Sequence, residues 1–167
     1  MKIVHFTGNA LSVVDAKGRT SLPSSYRSVV STRAAKAGDE NPAVVFLGEH
    51  PTQPCLQGYD PTFQDVLRAR VEAEVTKSGS DSFSEDLDER FAELFGIVEP
   101  VSYDDVGRMV LPQRLRKAAG LDEPGSVALF FGASETFRIW NIDRYREAYA
   151  EKPHMLRAID GLKDPRK

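Results

Sequence analysis

DAKGRTSLPSSYR, residues 15–27, returns in altered wording as DDVGRMVLPQRLR, residues 104–116, and the relation between the two decides how the chain is built. At an offset of 89 residues they agree at Asp15/Asp104, Gly18/Gly107, Arg19/Arg108, Leu22/Leu111, Pro23/Pro112 and Arg27/Arg116. The aspartate can accept hydrogen bonds from the turn's own amides, and the glycine supplies the positive φ that ends a four-residue loop with a bulge. Proline cannot donate to a sheet ladder but suits the first turn of a helix. Each stretch therefore predicts a β-hairpin running into a helix, and the chain reads as an internal duplication.

The surroundings extend the pattern. LSVV (11–14) and RTSL (19–22) form the first hairpin, and Tyr26, Val29, Val30, Arg33 and Ala37 recur at helical spacing before a capping Gly38. Residues 43–47 (AVVFL) and Cys55–Tyr59 read as strands. Asp60 and Pro61 cap and open a helix with Phe63, Val66, Leu67, Val71 and Val75 on one face, ending near Gly79. Ser82 and Glu85 form a capping box for a helix carrying Leu87, Phe91, Leu94 and Phe95, stopped by Gly96. From Ile97 the order restarts: strand IVEPVS, turn YDDVG, strand RMVL, Pro112, helix QRLRKAAG, strands SVALFFG and TFRIW, and a helix over Asp143–Lys152. The expected organisation is a first half over 5–58, linker helices over 59–96, a second half over 97–152 and a loose tail over 153–167.

Bulk properties narrow the function. A chain of 167 residues with 41% hydrophobic and 28% charged residues has a globular composition. No apolar run approaches a membrane span, and MKIVHFTG lacks a signal-peptide core, so a cytoplasmic protein is expected. The single Cys55 excludes an intramolecular disulfide framework. His5, His50 and His154 show no metal-ligand spacing, and neither metal nor cofactor is expected. The net charge of −3 hides segregation: residues 1–33 hold five bases against one acid, residues 61–99 four bases against ten acids.

An enzyme finds no support. Ser24, Ser25 and His5 have no nucleophile–base spacing, and Gly8, Gly48 and Gly132 form no phosphate-binding loop. Asp86, Asp88, Glu89 and Glu93 could suggest catalytic carboxylates or a metal site, but flanking Leu87, Phe91 and Leu94 they read as a solvated helix face. Trp140, Phe130, Phe131 and Phe137 read as core.

One Asp-x-x-Gly-Arg turn reads as a solvated loop. Two copies raise the question of why Arg19 and Arg108 recur when turn geometry needs only the glycine and the aspartate. A hairpin tip can carry a guanidinium to a phosphate or a guanine edge, because the major groove admits a two-stranded ribbon. Both stretches, with TFRIWNIDRY (136–145), resemble the paired motifs of the MraZ family, bacterial transcriptional regulators of the AbrB-like swapped-hairpin superfamily. The resemblance spans roughly residues 5–150. It implies an α+β fold in which two AbrB-like halves form a small pseudo-twofold β-barrel with flanking helices. It also implies ring-shaped homo-oligomers and sequence-specific binding at the promoter of the division and cell-wall gene cluster, the chain's own gene included. Its D-x-x-x-R hairpins carry DNA contact, which transfers to Asp15, Arg19, Asp104 and Arg108. The sequence departs from the family's pattern at Gln57 or Gly58, where a bulky residue is usual.

The expected roles are then base or phosphate contacts for Arg19 and Arg108, a phosphate contact for Lys17, and turn formation with orientation of the arginines for Asp15 and Asp104. Val106 stands where the first copy has Lys17, so the first tip should attract phosphate more. Arg27 and Arg116 either touch the DNA backbone or brace an acidic partner. Arg33, Arg114 and Lys117 read as solvated helix charges. The expected partners are double-stranded DNA with short repeated elements and further copies of the chain, with a nucleoid-associated location. The alternative is an oligomeric adaptor whose hairpins meet an acidic protein.

Overall fold

Both Leu-Pro steps end a strand and start a helix, with Pro23 and Pro112 as N-caps at φ of −55° each. The computed structural model describes residues 3–77 and 85–167. In chain order the elements are β1 (Asn9–Val14), β2 (Arg19–Ser21), α1 (Ser24–Lys36), β3 (Val44–Glu49), β4 (Leu56–Tyr59), α2 (Pro61–Lys77), α3 (Glu85–Phe95), β5 (Glu99–Ser102), β6 (Arg108–Val110), α4 (Gln113–Ala119), β7 (Ser126–Ala133), β8 (Thr136–Asn141), α5 (Ile142–Ala148) and α6 (Pro153–Arg157). The expected helix end at Gly79 and the Ser82 half of the capping box lie outside the described residues. The fold is α+β, and the strand pairings are antiparallel.

The strands form a six-stranded sheet in the order β1-β7-β8-β4-β3-β5 and a two-stranded ribbon, β2-β6. The expected ladders β1–β2 and β5–β6 do not form, which corrects the hairpin reading. The chain reverses at both turns, but β1 goes on to pair with β7, β5 with β3, and β2 with β6. A turn motif fixes the reversal locally. The ladder partner depends on which neighbour lets each strand bury its apolar face. Reversing the six-strand order while exchanging β1 with β5, β3 with β7 and β4 with β8 reproduces it.

The β7 and β8 strands are covered on both faces, as the continuous apolar run of SVALFFG suggests. Ala128, Phe130, Phe137 and Ile139 join the main core with Tyr26, Leu22 and Leu111, while Val127, Leu129 and Trp140 join a second cluster with Ile142, Tyr145 and Ile159. Phe131 is only partly buried. Gly58 lies directly opposite Phe137, and a Cβ there would come within 2.3 Å of that ring. The unusual glycine in CLQGYDP thus makes room for Phe137.

Arg33 is not a solvated charge. Its side chain is 12% exposed and its guanidinium bonds the fully buried Asp60 carboxylate at 2.6 Å. It also donates to the carbonyls of Val4 (2.6 Å) and Glu135 (3.2 Å) and lies over the Phe6 ring. Asp60 in turn caps α2, accepting from the Thr62 amide at 3.2 Å. Arg114 is half-exposed yet reaches Glu99 and the Ile97 carbonyl, both at 3.0 Å.

The C-terminal residues read as a loose tail are packed. The helix expected over 143–152 ends at Ala148, and Pro153 opens α6. Tyr145 Oη donates to the Met155 carbonyl at 2.7 Å, Ile159 is buried, and Arg166 joins Asp164 (2.7 Å) to Asp143 (3.0 Å). Too short to show a helical period, this stretch is held by contacts with α5.

Candidate nucleic-acid interface

The two turns are nearly superposable in their hydrogen bonding. Asp15 donates its amide to the Arg19 carbonyl (3.0 Å) and accepts the Gly18 amide on its own carbonyl (2.9 Å); Asp104 repeats this with Arg108 and Gly107 at 3.0 and 2.9 Å. Asp15 Oδ1 accepts the amides of Lys17 (2.9 Å) and Arg19 (2.8 Å), and Asp104 Oδ1 those of Val106 (3.0 Å) and Arg108 (2.9 Å). The second oxygen of each carboxylate takes arginine Nε, at 2.6 Å in the first turn and 3.1 Å in the second. The backbone N–H of Arg19, ahead of its side chain, holds the Asp15 carboxyl below its usual range, and Arg108 does the same for Asp104. The glycines take φ of 83° and 87°.

Each turn is braced by the other. Leu22 donates its amide to the Gly107 carbonyl at 2.8 Å, and Leu111 to the Gly18 carbonyl at 2.9 Å. Arg27 Nη1 donates to the Asp105 carbonyl at 2.7 Å. Arg116 Nε donates to the Leu111 carbonyl at 3.0 Å, with its guanidinium 2.7 Å from where a Gly18 Cβ would stand. Arg27 and Arg116 therefore brace peptide groups of this chain. Their repetition together with the two glycines was the available signal, since each glycine leaves room for the arginine of the other stretch.

The ribbon presents the arginines on a common face. Its register pairs Arg19 with Val110, Thr20 with Met109 and Ser21 with Arg108. Side chains alternate along a strand, so buried Thr20 and Met109 point inward while Arg19, Ser21, Arg108 and Val110 point to solvent. Arg19 and Arg108 are diagonal neighbours, about 7–8 Å apart at their backbones. Their side chains are 54% and 68% exposed, so the guanidinium ends beyond Nε reach solvent. An open concavity of about 500 Å³ is lined by Arg19, Arg108, Asp104 and Val110 with Pro100 and Pro112. A second, of about 340 Å³, is lined by Val13, Asp15, Arg19 and Arg108.

Asp15, Lys17, Arg19, Asp104 and Arg108 thus lie on or at the ends of one ribbon, with Arg27 and Arg116 beneath. Ser21, Asp105 and Val110 complete the surface beside Val106, and nothing in the sequence alone points to these three. The first turn carries Ala16 and Lys17 where the second carries Asp105 and Val106. A planar guanidinium oriented by a carboxylate through Nε keeps a donor edge for a second acceptor, and two such edges on a narrow ribbon can meet a phosphate or a base.

A family model described as "MraZ protein, putative antitoxin-like" matches residues 94–160. Over 153 residues the chain is 33% identical to "Transcriptional regulator MraZ" of Gluconobacter oxydans, covering 92% of this chain and 83% of that protein. Proteins of the same name from Ruegeria sp. and Rickettsia rickettsii are 33% identical over 152 residues (88% of this chain, 85% of theirs) and 28% identical over 155 residues (91% and 93%).

Proposed function

The chain belongs to the MraZ family, and from that premise we propose that it is a transcriptional regulator, not an enzyme, binding DNA through the β2–β6 ribbon. The observation that carries this reading is the convergence of Arg19 and Arg108 on one exposed face, each oriented by its own aspartate. A two-stranded ribbon fits the major groove, where arginine pairs with guanine O6 and N7. Lys17 adds a phosphate contact at the first tip. Arg27 and Arg116 act chiefly by fixing the turns, within reach of backbone phosphates beside them.

The palindromic strand order supports reading residues 5–58 and 97–152 as two interlocked AbrB-like halves, with 59–96 as linker helices and 153–167 as a C-terminal appendage. The edge strands β1 and β5 lead through the turns into β2 and β6, so the ribbon would join the two edges and close a small barrel. A few contacts at one ribbon bind weakly, and ring-shaped homo-oligomers on repeated elements would raise affinity by linkage. We place the target at the promoter of the division and cell-wall gene cluster, the chain's own gene included, and the protein in the cytoplasm at the nucleoid.

The test is retention of the DNA upstream of the chain's own gene by the wild type and by an Arg19→Ala/Arg108→Ala variant, at several salt concentrations. Loss of at least tenfold in affinity is expected at about 1–3 kcal/mol per base-paired arginine. Unaltered retention by the double variant rejects the site. Sizing with light scattering tests the oligomer, and a monomeric mass rejects it.

A further inference from the structure

The reading face is not symmetric, although the frame that carries it is. Position 21 of the first copy is serine and its counterpart, position 110, is valine. Because the ribbon is antiparallel, the exposed face shows two different cross-strand pairs: Arg19 beside Val110, and Arg108 beside Ser21. Val110 is 53% exposed. Single exposed valines call for no explanation, but Val13 (40%), which lines a concavity with both arginines, and Val106 (58%), in the second turn, are also exposed. An apolar group beside a donor fork is a recognisable combination. In the major groove the only apolar feature on a base edge is a pyrimidine C5-methyl, and guanine offers the acceptors that suit arginine. Cβ atoms of directly opposed residues stand about 4.5–5.5 Å apart. That separation suits contacts to adjacent base pairs, which rise about 3.4 Å per step.

We propose that Val110 contacts a pyrimidine C5-methyl group, thymine's in unmodified DNA, next to the base pair met by Arg19. This rests on the DNA-binding reading above. Ser21 offers no such contact beside Arg108, so the ribbon reads its site in a single orientation despite its near-twofold frame.

A random pool of duplexes enriched on the wild-type protein supplies the probe. The enriched duplex is resynthesised with each thymine replaced singly by uracil, which removes the methyl and keeps the base pair, and separately with each cytosine replaced by 5-methylcytosine. Wild type should lose roughly three- to fivefold in affinity at one uracil position, the loss expected for one buried methyl. Val110→Ser should bind the thymine and uracil forms of that duplex equally. A gain with 5-methylcytosine and no loss with uracil would also support methyl contact, with the modified base as its source. If V110S does not fold, Ser21→Val supplies the second arm: it should create a second uracil-sensitive position beside Arg108. Enrichment with no response to either base change overturns the methyl contact alone, as does undiminished uracil sensitivity in V110S. Failure to enrich any duplex overturns the DNA reading and this inference with it.

Discussion

Residues 12–33 and 101–122 begin alike and diverge in what surrounds the turn. The backbone bonds of Asp15 and Asp104 agree to within 0.1 Å, and each turn hands a carbonyl to the other's leucine. Behind the ribbon, the first stretch carries a polar pair, buried Thr20 donating through Oγ1 to half-buried Ser12 Oγ at 2.8 Å, where the second has buried Val101 and Met109. Beyond the turns, α1 runs to 13 residues and delivers Arg33 into the interior, whereas α4 stops after 7 at Gly120. The frame is kept where reciprocal backbone contacts demand it, and side chains are free to differ where only one face is touched.

The largest effect should come from the difference between the helices. Arg33→Ala leaves buried Asp60 without its cation and should cost about 3–5 kcal/mol. Arg114→Ala, on the shorter helix and half-exposed, should cost under about 1 kcal/mol. Urea unfolding measures both, and similar losses would erase the distinction between interior and surface arginines.

Next come the glycines. A Cβ on Gly107 meets the Leu22 carbonyl oxygen at 2.6 Å, a backbone atom that cannot step aside, whereas one on Gly18 first meets the movable Arg116 guanidinium at 2.7 Å. Both substitutions strain a left-handed residue, and we expect about 3 kcal/mol for Gly107→Ala and about 1–2 kcal/mol for Gly18→Ala. Thermal or urea unfolding that ranks them the other way would show the two braces to be less alike than the backbone suggests.

Binding asymmetry should be smaller and visible in salt. Lys17→Ala should lower the slope of log affinity against log salt by about one, and Val106→Ala should leave it unchanged. Equal slopes for wild type and Lys17→Ala would remove the phosphate role of the first tip.

The smallest effect concerns pH. The carboxyls of Asp15 and Asp104 are depressed below an ordinary value of 3.8, so the stability they add is fully present above that pH and is lost as pH falls through the depressed values. Asp15→Asn and Asp104→Asn should each flatten the acid limb of a stability-against-pH curve. An unchanged limb would mean that the turn amides contribute nothing to it.

Much of this was legible in the sequence because it is local. Asp15, Gly18 and Pro23 specify reversal, positive φ and helix entry within nine residues, and the second copy repeats them. The strand partners were not legible: β2 pairs with residues almost ninety positions away, and no turn residue encodes that choice. Arg33 fell in register on a helical face, but its buried partner Asp60 lies 27 residues on, behind two strands. Arg27 and Arg116 stand out by their repetition, yet what they brace belongs to the other stretch or to the backbone beneath it. The exposed ribbon residues Ser21 and Val110 look like ordinary strand members until the register places each beside an arginine.

The cross-handed carbonyls also set a rule for synthesis. Arg19 leaves the ribosome early, but its strand has no mate and its turn no support until Gly107 and Leu111 have followed. A product cut short between them would therefore hold no β2–β6 ribbon, and would not present Arg19 in the frame that the whole chain gives it.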